Sequence, residues 1–350
     1  MRTAIIGYGL AGRIFHGRLL ASTPGVEVVA VVTQSPERRA QVHEDFPGTP
    51  CFDGVPTMLQ TTQPELAVVA SATAAHAGDA LSCVTAGVPV VVDKPLAPTA
   101  AQAATVVEAA RAAGVPLTVF QNRRYDADML TLHRLLATGE LGRVTRFESR
   151  FERWRPVPDL TRWRERADPA QGAGVLLDLG SHLVDQACLL LGPVGAVYAE
   201  VDARRSAPRD GTPGPASGAD DDVFLALRHT GGGYSHLWCG SVTAAAGPRL
   251  RVLGTTGALV VEELDGQEAA LRDGRSPAAA AAQTMNLVRG AQREAVRPEP
   301  GGWDRFYPEV LAALGAGTPM PVDPEDAVRV LRILDAARVS ARENRLVAPG

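Results

Sequence analysis

The sequence predicts two domains: an α/β domain on a doubly wound, mostly parallel sheet, then an α+β domain with an open-faced, mainly antiparallel sheet. Three observations lead there. Up to Phe120, short Val/Ile-rich runs alternate with helical patterns, as in repeated strand–helix–strand units. Beyond Gln121, strand-like runs follow one another without helices between them, which implies antiparallel pairing. A glycine-rich turn also joins the first strand to the first helix. A length of 350 residues suits two domains.

The elements follow in order. Thr3–Gly7, Val26–Val32, Leu66–Ala70, Val88–Asp93 and Leu117–Phe120 read as strands buried on both faces. Helices are expected over Ala11–Ala21, Pro36–Asp45, His76–Ala86 and Thr99–Ala113. A helix near Asp126–Thr138 precedes Arg143–Arg153, which alternates like a half-exposed strand. Val194–Arg204, Val223–Arg228, Tyr234–Ser241, Leu250–Leu253 and Ala258–Val261 continue that pattern. Ser206–Asp222, rich in Pro, Gly and Asp, reads as a mobile surface loop, and Ala278–Ala282 is a low-complexity run. An amphipathic helix from Pro324 to about Asn344 closes the chain. The domain boundary is expected after residue 121, giving domains 1–121 and 122–350.

Composition excludes several classes. The net charge of −4 is near balance, unlike the basic stripe of a nucleic-acid binder. No run of 18 apolar residues suggests a membrane span, and the N-terminus lacks a signal-peptide pattern. The four cysteines, Cys51, Cys83, Cys188 and Cys239, form no C-x-x-C pair. They read as reduced, packed thiols of a cytoplasmic protein.

Three motifs carry chemistry. Gly7-Tyr8-Gly9-Leu10-Ala11-Gly12 is a G-x-G-x-x-G between a strand and a helix, the fingerprint of a dinucleotide-binding Rossmann domain. Gly7 permits the tight turn, Gly9 lets the backbone approach a pyrophosphate, and Gly12 lets helix and strand pack closely. The helix N-terminus, from Leu10 and Ala11 onward, favours the phosphates. At the end of the second strand, Thr33-Gln34-Ser35 holds no carboxylate for a ribose 2′-hydroxyl. Ser35 and Arg38, with Arg39 beside them, offer donors to a 2′-phosphate, so NADP is favoured over NAD. The competing reading leaves both arginines on a solvated turn, paired with Glu37.

Asp93-Lys94-Pro95 ends a strand and aims Lys94 at the crevice where open α/β sheets bind ligands. Its ammonium suits a developing alkoxide, although most lysines are simply surface groups. The third motif lies within Gly172–Asp185, where Asp178 and His182 stand four apart, on one face of a helix. A carboxylate there can orient an imidazole; the plainer reading is an internally satisfied pair. No third ligand makes this pair a metal site.

Together these stretches resemble the Gfo/Idh/MocA family, the glucose–fructose oxidoreductase and inositol dehydrogenase superfamily, from Arg2 to about Ala348. Asp93-Lys94-Pro95 matches the family's acidic-Lys-Pro signature, with Asp for the more frequent Glu, and Gly172–Asp185 matches its second signature. Gln121–Asp126, Phe147–Trp154 and Leu264–Arg272 are similar to the branch containing NADP-dependent scyllo-inositol dehydrogenases. The resemblance implies Lys94, Asp178 and His182 as catalytic residues. It places Thr73, His76, Asp93, Pro95, Arg123, Trp163 and Arg164 near the cofactor. Ser71–His76 lacks the Pro-Asn usual before this helix, which leaves His76 between a cofactor contact and a structural role at the helix start. It also implies a homo-oligomer formed through the C-terminal sheet.

The expected reaction moves hydride between NADP and a secondary alcohol or ketone of a polyol, inositol or sugar. His182 is the general base, Lys94 steadies the same oxygen and Asp178 holds His182. Arg124, Tyr125, Asp126, Arg153, Trp154 and His236 are candidates for substrate contacts, as donors and acceptors for several hydroxyls. The arginines and Asp126 could equally be paired elsewhere. Two alternatives are an NADP-binding sensor or scaffold without turnover, and an NAD-dependent glycoside hydrolase of the same superfamily.

Overall fold

A computed structural model describes residues 1–159, 161, 165, 168–205 and 218–350. Two compact units emerge, and the chain passes between them more than once. The first takes residues 1–122, 267–279 and 302–328; the second takes 123–266, 280–301 and 329–350. A single cut after residue 121 therefore misses two later segments that return to the first unit. They return because the first unit's aromatic core needs them. Trp303 meets Phe15 edge-on at 5.9 Å, and Phe306 and Tyr307 lie 4.8 and 6.3 Å from Phe120. Thr118 Oγ1 donates to the Val322 carbonyl at 2.8 Å.

The first unit's sheet comprises β1 (Arg2–Ile6), β2 (Glu27–Val32), β3 (Cys51–Phe52), β4 (Leu66–Val69), β5 (Val90–Asp93) and β6 (Leu117–Phe120). Their order is β3-β2-β1-β4-β5-β6, and every pairing is parallel. β4 and β5 are buried throughout, which explains their unbroken apolar runs. Strand order reverses between β1 and β4, so ligands are expected beyond the carboxyl ends of those strands. The linking helices are α1, α2 (Pro36–Asp45), α3 (Val55–Thr62), α4 (Thr73–Thr85) and α5 (Ala100–Ala113). α1 opens as a π-helical stretch, Ala11–Gly17, and continues as α-helix over Arg18–Ala21. β3 and α3 escaped the sequence reading, since a two-residue strand shows no periodicity.

The second unit is built on an eight-stranded sheet. β7 (Val144–Glu152), β8 (Val194–Asp202), β9 (Asp222–His229) and β10 (Tyr234–Gly240) join β11 (Leu250–Gly254), β12 (Ala258–Val261), β13 (Met285–Arg289) and β14 (Gln292–Ala295). The order is β14-β13-β12-β11-β7-β10-β9-β8, with β7 and β10 the parallel pair. Phe147, Phe151, Leu225, Leu237 and Cys239 are buried. That face carries the helix Gly180–Leu191, where a side chain added at Gly180 would touch Cys239 Sγ at 3.9 Å. Phe224, His236 and Trp238 alternate onto the opposite face, which stays half-open. The expected open-faced sheet is thus present.

Among the described residues no single helix is long and apolar enough to cross a membrane. Most of the expected loop at Ser206–Asp222 lies outside the described residues, but its end is a correction. Asp220 and Asp221 are buried and hold backbone N–H groups. Asp221 accepts from Arg204 N and Arg205 N, at 2.7 and 2.9 Å, and pairs with the Arg205 side chain. Asp220 Oδ2 accepts from Leu176 N at 2.6 Å and its carbonyl from Val175 N at 3.0 Å. It thereby caps the helical turn Val175–Asp178. Gly174 makes room for this: its φ is +91°, and a Cβ there would lie 2.1 Å from Asp220 Oδ1.

Burial pushes the Asp220 carboxyl up to about 6, against the pull of its backbone hydrogen bond and Arg338. The folded chain therefore holds this proton more tightly than the unfolded chain does. The stability this adds is fully present below the ordinary carboxylate pKa and disappears as pH rises through about 6. Thermal melts between about pH 4 and 6 should show the wild type losing stability relative to Asp220→Asn, by on the order of 3 kcal/mol. Parallel slopes for the two proteins would contradict the assignment.

Candidate active site

The carboxyl ends of β1, β2, β4 and β5 share one edge of the first unit's parallel sheet. They carry Gly7, Ser35, Ser71 and Lys94 respectively. Gly7 has φ +92°, and a Cβ there would sit 2.5 Å from Ser71 N. A Cβ at Gly12 would lie 2.0 Å from Gly7 O. Both positions therefore require glycine, and the close backbone packing they allow shapes the turn from Gly7 to Gly12 into a cradle. Gly9 is different, because its missing side chain faces the Arg38 guanidinium across 3.9 Å of open space. That combination of bare backbone, helix N-terminus and cation fits the pyrophosphate and 2′-phosphate of a dinucleotide.

Ser35 accepts from Arg38 N at 3.3 Å and caps α2. Arg39 is neutralised by Asp53 at 2.6 Å. Among the described residues Glu37 pairs with neither arginine. Among the described residues Arg38 makes no ion pair, so its exposed charge is available to a ligand.

Lys94 is half-buried on the turn after β5, and the Lys94–Pro95 bond is cis. Asp93 Oδ1 accepts the Lys94 backbone N–H at 2.9 Å. His76 is sealed from solvent, with Nδ1 at 2.8 Å from the Pro95 carbonyl and Nε2 at 3.1 Å from the Ser71 carbonyl. Both ring nitrogens thus face backbone carbonyls. His76 ties the turn after β4 to the Lys94 turn. Thr73 is likewise buried, at the first position of α4. Leu10 and Ala11 lie on the glycine turn, Leu10 exposed.

In the second unit, Asp178 ends the helical turn Val175–Asp178, and His182 lies in the first turn of the helix Gly180–Leu191. The two helices meet at Leu179, so the expected single helix is broken between them. His182 is buried, and its ring meets Phe151 at 6.2 Å. Phe151 is in turn covered by two guanidiniums, Arg123 at 4.6 Å and Arg249 at 4.3 Å from its centroid. Gln186, one turn beyond His182, accepts from Arg249 at 3.1 Å and donates to the Arg123 carbonyl at 3.3 Å. Arg123 also pairs with Asp126 at 3.1 Å, and Arg249 faces Asp128 at 3.6 Å. Burial pushes both carboxyls up, with Asp265 adding to it, while Arg123 and Arg249 oppose the shift. The histidine thus stands on a rigid, charged platform.

This platform corrects several expectations. Arg123 is committed to Asp126 and Phe151 inside the second unit. Asp126 is 0% exposed, so it supports the platform and cannot meet substrate. Arg124 forms a two-pronged pair with Asp185, at 2.6 and 2.9 Å, bracing the His182 helix. Tyr125 is buried beside it. His236 lies on the sheet face opposite His182, between Phe224 and Trp238, because strand alternation turned it there. Trp154 is 59% exposed just past β7. Arg153 follows Phe151 on the His182 side of the sheet, near Cys239. Trp163 and Arg164 lie outside the described residues.

Sequence reasoning missed Asp220 and Arg249, which support the site from distant positions, and Gln186, one turn beyond His182, whose buried partners carry no local motif. One missed signal was visible in the composition: Lys94 is the only lysine in the chain, every other basic side chain of the Lys and Arg class being arginine. An ammonium differs from a guanidinium as a compact, strongly hydrated charge that can give up its proton.

Comparison with known proteins matches this geometry. Residues 1–121 match the oxidoreductase family with an NAD-binding Rossmann fold, and residues 129–260 match the GFO/IDH/MocA C-terminal domain. Scyllo-inositol 2-dehydrogenase (NADP(+)) IolW of Bacillus subtilis strain 168 is 31% identical, over 99% of this chain and 95% of its own. The uncharacterized oxidoreductase YdgJ of Escherichia coli K12 is 34% identical, over 98% of this chain and 96% of its own. Among solved structures, the putative oxidoreductase yvaA of Bacillus subtilis superposes with a TM-score of 0.87 at 30% identity, covering 99% of this chain and 98% of that one. The chain belongs to the GFO/IDH/MocA family of oxidoreductases.

Proposed function

We propose that the protein is an NADP-preferring dehydrogenase that interconverts a secondary alcohol and a ketone on an inositol, polyol or sugar. The observation that carries this reading is the placement of Lys94 at the carboxyl end of β5, on the sheet edge that bears the glycine cradle. The likeness to an NADP-dependent scyllo-inositol dehydrogenase supports the substrate class. When bound, the nicotinamide supplies the site that accepts or gives hydride. Lys94 donates to the substrate hydroxyl and favours its alkoxide form. His182 takes the hydroxyl proton, and in the reductive direction returns it. Asp178 orients His182 and stabilises its protonated form.

NADP preference rests on Arg38, unpaired beside Gly9, and on the absence of an acidic residue over Thr33–Ser35. Self-association is assigned to the open sheet face. There Phe224 and Trp238 lie 5.2 Å apart, and the Arg150 guanidinium covers Trp238 at 3.9 Å. A half-open aromatic patch of this kind marks an interface.

Oxidation of scyllo-inositol, followed at the nicotinamide absorbance, should fall at least about a hundredfold in Lys94→Ala and in His182→Ala. Normal turnover in both variants would remove the assignment. Fluorescence titration should show Arg38→Ala weakening NADPH by about tenfold or more while NADH changes little; equal losses would refute the phosphate contact. Trp238→Glu should shift the protein to a smaller species in light scattering, and an unaltered mass would exclude the open face as the interface.

A further inference from the structure

Behind the Lys94 turn runs a line of polar side chains closed off from solvent. Tyr307 and His16 are 0% exposed and Asp93 is 5% exposed. The Tyr307 hydroxyl lies 2.6 Å from His16 Nδ1, and His16 Nε2 lies 3.8 Å from Asp93 Oδ1. That same Asp93 oxygen accepts the Lys94 backbone N–H at 2.9 Å. Apolar rings wall the line in: Phe120 lies 4.5 Å from the His16 ring, and Phe306 packs on Tyr307 at 5.4 Å.

Three buried polar groups among aromatics cost more to fold than apolar ones of the same volume. Such a network earns its place by fixing one arrangement. Burial works against the Asp93 charge, yet His16, Lys94 and His76 overcome it and hold the carboxyl below its usual range. Burial and the nearby Asp93 drive the Tyr307 hydroxyl far up, and this hydroxyl shares its 2.6 Å hydrogen bond with His16 Nδ1. His16 Nε2 faces the Asp93 carboxylate across 3.8 Å, closing the line from Tyr307 to the Lys94 turn. The π-helical stretch Ala11–Gly17 presents His16 inward, where a wider turn than the α-helix sets its direction.

We propose that His16 and Tyr307 are positioning residues for Lys94: Tyr307 fixes the His16 ring, His16 steadies the Asp93 carboxylate, and Asp93 holds the Lys94 backbone. This rests on the reading of Lys94 as the group that acts on the substrate oxygen. A dehydrogenase gains from it because the ammonium must stay aimed while the substrate oxygen changes charge.

The single lysine allows the test to separate the two ideas. Full-length protein is reacted with trinitrobenzenesulfonate, and labelling of the Lys94 peptide is resolved from the N-terminal amine by mass spectrometry. Tyr307→Phe and His16→Phe should raise the Lys94 labelling rate about threefold or more and lower kcat on scyllo-inositol about tenfold, with KM and NADPH affinity within about twofold. His16→Gln keeps an N–H directed at Asp93 and should restore both readouts to within about twofold. Thr118→Val removes an equally buried hydroxyl hydrogen bond in the same unit. It should cost comparable stability and leave labelling and kcat unchanged.

Labelling or kcat unchanged in both Tyr307→Phe and His16→Phe would overturn the proposal, as would the same change in Thr118→Val. Should His16→Phe fail to fold, Tyr307→Phe removes one oxygen and carries the test alone. Full turnover in Lys94→Ala would remove the role assigned to Lys94, while labelling would still decide whether His16 and Tyr307 position it.

Discussion

The first unit depends on one close approach, where the turn after β1 presses on the turn after β4. Gly7 backbone meets Ser71 backbone so tightly that no side chain fits between them. Once those two turns touch, the glycine cradle has a floor, α1 starts in the right place, and α4 begins directly beside it. His76 on α4 then reaches both the Ser71 and the Pro95 carbonyls. A steric constraint at one glycine is thereby passed, through a buried histidine, to the turn that carries Lys94.

The second unit meets the same need by different means. Its histidine has no glycine turn to fix it. The His182 helix is instead pinned along its length, by Arg124 on Asp185, by Arg249 on Gln186 and by Phe151 against the imidazole. Buried ion pairs of this kind contribute little net stability. The Arg124–Asp185 geometry is directional, though, and breaking it leaves an uncompensated charge, while the Gln186 hydrogen bond and the Phe151 ring hold the same helix without one. Both units thus place a reactive group on a support assembled from distant parts of the chain.

The sequence was legible where the physics is local. Val/Ile runs such as Leu66–Val69 announce strands buried on both faces, and the spacing of Gly7, Gly9 and Gly12 announces the cradle. The spacing of Asp178 and His182 was legible, but the break at Leu179 between them was not, because the Asp220 cap that organises the preceding turn is set from residue 220. Asp126 and Arg124 looked like substrate ligands since composition says nothing about partners that arrive from residues 185, 249 and 265. His236 was misjudged for a simpler reason. Period-two alternation says that it faces away from Leu237, without saying which face carries the helices.

The interleaving of the two units has a consequence for how the polypeptide is made. Phe15, His16 and Phe120 need Trp303, Phe306 and Tyr307 to complete their packing. The dinucleotide-binding half therefore cannot finish folding when its own six strands leave the ribosome. It waits on the order of ten seconds for the remainder of the chain to be synthesised, with an aromatic surface uncovered meanwhile. Contacts of such long sequence separation fold slowly. A fragment ending near residue 121 consequently lacks the Trp303, Phe306 and Tyr307 rings that cover Phe15, His16 and Phe120, so the last step of folding the first half is set by residues near the end of the chain.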